Sequence, residues 1–157
     1  MIITTTQMMG AIEEVLQATF PGEPVYENLT PRDFARPSNM VELTKLDLDA
    51  LGQGLGAVTL RYHWKITTFC QVDEVHDSHF PTLDLRCMTL LGAFAGGFLR
   101  VGDRAPKLIS CTADTSMYDC AEVRLAFGLT MDRSEFCPRE ILPLMEDLNT
   151  KLNAKEN

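Results

Sequence analysis

The chain lacks any apolar run approaching the ~18 residues from which a membrane-spanning helix is read, so no transmembrane span is expected. It also lacks a basic segment ahead of its first apolar stretch. MIITTTQMMGAIEEVL opens without Lys or Arg and carries acids inside its apolar part, which argues against a secretory signal. No Lys/Arg-rich run occurs, and the net charge is −8 with a pI near 4.8. Phosphate neutralisation needs a basic face, so sequence-specific nucleic-acid binding and attachment to anionic membranes are both disfavoured. There is no CxxC among the five cysteines, Cys70, Cys87, Cys111, Cys120 and Cys137, and their number is odd. Four sit in apolar or strand-like surroundings, where a thiol packs as a small hydrophobe, and a reducing compartment fits them. The alternative is a disulfide between Cys111 and Cys120 across a hairpin.

What is present is enough for one domain with its own core: 157 residues, 45% of them hydrophobic. Thr4 with Gln7 fits a capping box, and Ile3 with Met8 a hydrophobic staple. Met8, Ile12, Val15, Leu16 and Phe20 then recur at helical spacing until Pro21-Gly22, with Glu13 and Glu14 on the polar face. A short strand is expected at 24–30, then a loop with Pro31 and Pro37 as breakers. Residues 40–51 read as a strand whose apolar phase slips, odd at Val41 and Leu43 but even at Leu46 and Leu48. A slip by one residue swaps faces, so a bulge or twist is predicted there.

The stretch AVTLRYHWKITTFC (57–70) is the clearest strand. Leu60, Tyr62, Trp64, Ile66 and Thr68 line one face; Arg61, His63, Lys65 and Thr67 line the other. The glycine tip GQGLG (52–56) should join it to the preceding strand in a long antiparallel hairpin. From about Pro81 to Leu99 the spacing is helical, through Leu83, Cys87, Leu90, Leu91, Phe94 and Phe98. Only Asp84 and Arg86 are charged, which predicts a helix buried around much of its circumference. Strands are expected at 107–113 and 120–131. A last helix is expected at 138–152, with Pro143 kinking it or marking its first turn, and NAKEN (153–157) fraying beyond it. The order α-β-β-β-α-β-β-α implies a single α+β domain over residues 1–157. Its sheet should be mixed, mostly antiparallel, of about five strands, packed by N-terminal, central and C-terminal helices.

The segment QVDEVHDSHF (71–80) concentrates acids and two of the three histidines. His76 and His79 with Asp77, Asp73 or Glu74 have the ligand chemistry for zinc, manganese or iron. The HxxH spacing is not the helical HExxH of zinc proteases, and His63 stands alone on a strand. The plainer reading is a polar structural or interface loop. In it Asp77 or Ser78 begins a turn before Pro81, and acids sit at the N-terminus of a helix. GQGLG is neither GxGxxG nor GxxxxGK[ST], and the residues after it are strand-like, so it reads as a hairpin tip. No GxSxG occurs; Ser78 between two histidines, or Cys70 with His63, are the remaining nucleophile–base combinations. Tyr62 and Trp64 read as sheet-to-helix packing anchors.

Several strings occur in an order that resembles the tail terminator (tail completion) proteins of long-tailed bacteriophages and prophages. They are FPGEPVY (20–26), RPSNMVEL (36–43), RYHWKITTF (61–69), DEVHDSHF (73–80) and VGDRAPKLISCTADTSMYDCAEVRLAFGLTM (101–131), so the resemblance covers nearly the whole chain. It implies a mixed sheet with helices packed against it and a structural role. A homohexameric ring would cap the finished tail tube and join the tail to the head. The implied partners are further copies of the chain, the tail-tube protein and a head–tail connector protein. The implied setting is the virion tail, after assembly in the bacterial cytoplasm. The family has no cofactor and no catalysis.

A ring needs two different patches that meet between neighbours. The hairpin, with Leu46, Leu48, Gly52, Gln53, Gly54, Leu55 and Gly56, is expected to reach a neighbouring subunit or line the lumen. The loop bearing Asp73, Glu74, His76, Asp77 and His79 is expected at a subunit or tail-tube contact. The rival readings are another head–tail connector or neck protein of related fold, a small metal-dependent enzyme using the acids and histidines of 73–79, and a small binding domain.

Overall fold

Helix α1, Thr5–Thr19, starts where the capping box places it. Thr4 Oγ1 accepts from Gln7 N at 3.2 Å, and Gln7 Oε1 accepts from Thr4 N at 2.9 Å. Its spacing buries Met8, Met9, Ala11, Ile12 and Leu16, and it ends at Phe20 ahead of Pro21. The computed structural model describes residues 2–49, 56–114 and 119–136. The expected tip glycines, the 138–152 helix, Cys137 and the 153–157 tail therefore lie outside the described residues, apart from Gly56.

Strand β1, Val25–Glu27, runs parallel to β2, Ser38–Asp49. Strand β3, Ala57–Phe69, is antiparallel to β2, as the hairpin pattern requires. The register between them shifts between Leu43 and Lys45, at the predicted phase slip. Thr44 is the extra residue, and its hydroxyl donates to His63 O at 3.0 Å. Helix α2, Phe80–Phe94, comes next, then β4, Lys107–Asp114, and β5, Cys120–Asp132. One turn of helix, α3, covers Arg133–Phe136. The sheet order is β1-β2-β3-β5-β4, so the fold is α+β with one mixed, mostly antiparallel five-stranded sheet.

The face of β3 carrying Leu60, Tyr62, Trp64 and Ile66 aligns with Leu129, Phe127, Leu125 and Val123 of β5. Those residues form one core with Met8, Ile12 and Leu16 of α1 and Leu83, Leu90 and Phe94 of α2. The opposite face is polar. Lys65 lies between Glu42 at 2.8 Å and Glu122 at 3.7 Å, Arg61 meets Asp49 at 3.2 Å, and His63 meets Asp47 at 3.0 Å. The hydrogen bond to Glu42 raises the Lys65 pKa.

Three expectations need correcting. Helix α2 ends at Phe94 rather than near Leu99, because Ala95 N turns back to Gly92 O and Gly97 adopts φ 81. Phe98 consequently leaves the helical face and pairs with Lys107 in an isolated bridge. The helix is also far less covered than its composition predicts: Leu85 is 69% exposed and Met88 60%. Cys111 stands opposite Leu125 and Cys120 opposite Phe69, so the two thiols do not face each other and no disulfide joins them. Burial pushes the Cys120 thiol up to about 11, which makes it a poor nucleophile.

Candidate functional site

The two regions singled out in the sequence lie at opposite ends of β3. Gly56, the one tip glycine described, precedes Ala57 and the acidic loop comes after Phe69, so a 13-residue strand, about 40 Å, separates them. The structure does not bring them into one site.

The hairpin does not project from the sheet over its described length. Strand β3 is paired to β5 from Ala57 to Phe69, and Gly56 O accepts from Arg133 N at 2.9 Å. What is left open is the second half of β2. Strand β1 pairs only with Asn39, Met40 and Val41, so no other described strand flanks β2 beyond the bulge. Leu46 and Leu48 lie opposite Tyr62 and Leu60, hence on the core side of the sheet, yet they are 48% and 50% exposed. Lys45, Asp47 and Asp49 point the other way. The Lys45 ammonium, 2.9 Å away, and the His63 ring hold Asp47 below the usual carboxylate range. A bulge and alternating charges guard this edge against indiscriminate strand pairing, while the two leucines remain as an apolar surface.

The acidic loop is organised by its own carboxylates. Asp73 Oδ1 accepts from Val75 N at 2.9 Å and from Asp77 N at 3.0 Å, and Asp77 Oδ1 accepts from His79 N at 2.8 Å. These bonds, that from the Asp77 backbone first, hold the Asp73 carboxyl below its ordinary range. His76 and His79 both adopt positive φ, 66 and 61, an uncommon state for residues with a Cβ that the surrounding bonds must hold in place. Asp77 begins the turn before Pro81, as the sequence suggests, while His79 occupies the cap position of α2 without a side-chain bond. Glu74 is exposed, and Ser78 is buried with no partner for its hydroxyl among the described residues.

The candidate ligands of this loop are divided. His79 Nε2 lies 3.2 Å from Asp73, and its Nδ1 lies 3.8 Å from Asp77. His76 Nε2 lies 3.7 Å from Asp119, a residue of another segment. Among the described residues, no group of three His, Cys, Asp or Glu side chains is placed to hold a metal ion. Cys70 and His63 are not a pair either: His63 sits on the polar face against Asp47, while Cys70 is buried in the core, its thiol pKa raised by that burial. No helix among the described residues is long and apolar enough to cross a membrane.

Two polar networks escape sequence reasoning. Arg36 donates to Cys70 O and Asp119 O, both at 3.1 Å, and to Asp119 Oδ2 at 2.6 Å, with its guanidinium over the Phe34 and Phe69 rings. It fastens the segment before β2 to the end of β3 beside the acidic loop. Arg86 of α2 donates to Thr68 and to both oxygens of Glu23, and stacks 4.1 Å from the centre of the Phe20 ring. A third polar cluster, Glu13 and Glu27 beside Trp64, lies between α1 and β1. Its one signal in the sequence is Gly10, placed in the middle of a helix where glycine is unfavourable.

Comparison with protein-family models and with curated proteins returns no match.

Proposed function

We propose that this protein is a phage tail terminator, a subunit of a ring that caps the tail tube and joins it to the head. The observation that carries the reading is the pair Leu46 and Leu48, half exposed on the core-facing side of β2 where the strand runs on beyond β1. A closed ring is built from a heterologous contact, so each subunit needs two different sticky surfaces. The leucine pair supplies one. The outer side of α2, with Leu85 and Met88, supplies a second on a different element. Helices that are apolar all round are normally buried, and this one completes its burial on assembly. The architecture, a mixed sheet with helices packed against it, agrees with the fold expected of that family.

Light scattering after size exclusion, with negative-stain images of the peak, tests the ring. Six copies of 17.6 kDa give about 106 kDa, with annular particles. Leu46→Asp/Leu48→Asp should run as a folded 17.6 kDa monomer by the same measurement. A wild-type ring that survives this double change removes the leucine pair from the interface. A wild-type protein that is monomeric both alone and with tail tubes present removes the ring.

A further inference from the structure

A groove of about 510 Å³ runs between α1 and β1, lined among others by Gly10, Glu13, Glu27, Asn28, Leu43 and Trp64. A second depression of about 600 Å³ continues it along α1, sharing Gly10, Glu13 and Glu27 and adding Glu14. Three features here are unexplained by the packing of the free chain. Trp64 is 1% exposed and its indole N–H has no hydrogen-bond partner among the described residues, whereas Tyr62, two residues away on the same face, donates to Ile3 O at 2.8 Å. Buried donors are seldom left unpaired, and each such case calls for a partner. Glu13 and Glu27 line the groove together, and the charge on Glu27 helps to raise the Glu13 pKa. Among the described residues no Lys, Arg or His forms an ion pair with either. Gly10 is mid-helix, and a Cβ built on it would touch nothing within 4 Å, so internal packing does not require a glycine.

We propose that this groove receives a peptide segment of a partner protein through an arginine or lysine side chain. Its cation would lie between Glu13 and Glu27, and a carbonyl of the same segment would accept from Trp64 Nε1. One occupant then accounts for all three features. The cation relieves the repulsion that Glu27 exerts on Glu13, whose carboxyl is held above its ordinary range by burial and by that neighbour. The carbonyl completes the indole N–H. The missing side chain at Gly10 lets the segment's backbone cross the helix closely. A net charge of −8 draws a basic partner toward the surface from a distance. The inference does not rest on the ring reading, since neither Leu46, Leu48 nor the outer side of α2 takes part.

Trp64 is the one tryptophan in the chain, so its indole gives a single, assignable ¹H–¹⁵N signal. The full-length protein is titrated with acetyl-Gly-Arg-Gly-amide and with the same peptide carrying citrulline, a neutral isostere of arginine. The expected result is a saturable shift of the indole signal with the arginine peptide, at least about tenfold weaker with citrulline, as loss of a charge-assisted contact implies. Glu13→Gln/Glu27→Gln should weaken the arginine peptide to the same degree. Gly10→Leu should abolish the shift, while unchanged circular dichroism and a dispersed amide spectrum of the free variant report an intact fold. No saturable shift with the arginine peptide or its lysine counterpart overturns the proposal. So does equal binding of the citrulline peptide, or binding that neither variant alters.

Discussion

Arg86 of α2 lays two guanidinium nitrogens against the two carboxylate oxygens of Glu23, in the connection between α1 and β1, with Nη1 to Oε1 at 3.0 Å. Both side chains are mostly enclosed, 10% and 18% exposed. The pair therefore clamps the central helix to the far side of the core, under the Phe20 ring. Removing one partner strands the other. Glu23→Gln or Arg86→Met should each cost about 3 kcal/mol in denaturant unfolding, and Glu23→Gln/Arg86→Met clearly less than the sum. Additive single effects would mean that the two side chains stabilise the fold separately.

Gly10→Ala should stabilise the free protein by about 1 kcal/mol. Alanine is the better helix former by that amount, and the added Cβ meets nothing within 4 Å. Chemical denaturation at equal slope reads the change. A destabilised variant would mean that this part of α1 packs more tightly than its surroundings indicate.

Two carboxyls should give opposite pH signatures. Burial, with Glu27 adding to it, holds the Glu13 carboxyl above its ordinary range. Its contribution to stability is thus full below the unfolded value of about 4.3 and is lost as pH rises through the folded value. Glu13→Gln should accordingly raise Tm at pH 7 and leave it near wild type below pH ~4. Asp73 is held below its ordinary range by the backbone bonds it accepts. Its contribution is present above about pH 3.9 and lost as pH falls through the folded value. Asp73→Asn should therefore speed exchange of the Val75 and Asp77 amides at pH 7. The effect should fade in strong acid, where wild type loses the same carboxylate. Identical amide exchange at pH 7 would show that the loop is held by other contacts.

Leu46→Asp/Leu48→Asp should leave the subunit folded, because both side chains are already half exposed and losing each costs about 1 kcal/mol. Circular dichroism should be unchanged while assembly is lost. Asp73→Ala/Asp77→Ala tests the other candidate contact, with tail joining as the readout. Normal joining with a visibly loosened loop would remove the loop from the interface.

The sequence made the sheet legible wherever one strand carries its own pattern. Strict alternation from Leu60 to Thr68 fixed the core face, and the parity change between Leu43 and Leu46 marked the bulge at Thr44. The capping box at Thr4 and Gln7 placed the first turn of α1. Features made by convergence of distant segments were not legible. Arg86 meets Glu23 from 63 residues away, and Arg36 meets Asp119 from 83, so neither pair leaves a local spacing. Glu13 read as one of two acids on a helix's polar face, because nothing local places Glu27 beside it. The α2 helix misled for a different reason: an apolar circumference states that a face wants cover, not whether the same chain supplies it. The acidic loop's residues stand out in the sequence as a cluster. The bonds that their carboxylates accept from backbone amides become visible only with the fold.

The central proposal is that this protein stops phage tail growth, and the most direct measurement is tail length by electron microscopy in particles produced with and without its gene. The account predicts overgrown tails of uneven length, unjoined to heads, in its absence, and normal length restored by the wild-type protein but not by Leu46→Asp/Leu48→Asp. Tails of normal, uniform length without the gene would contradict it.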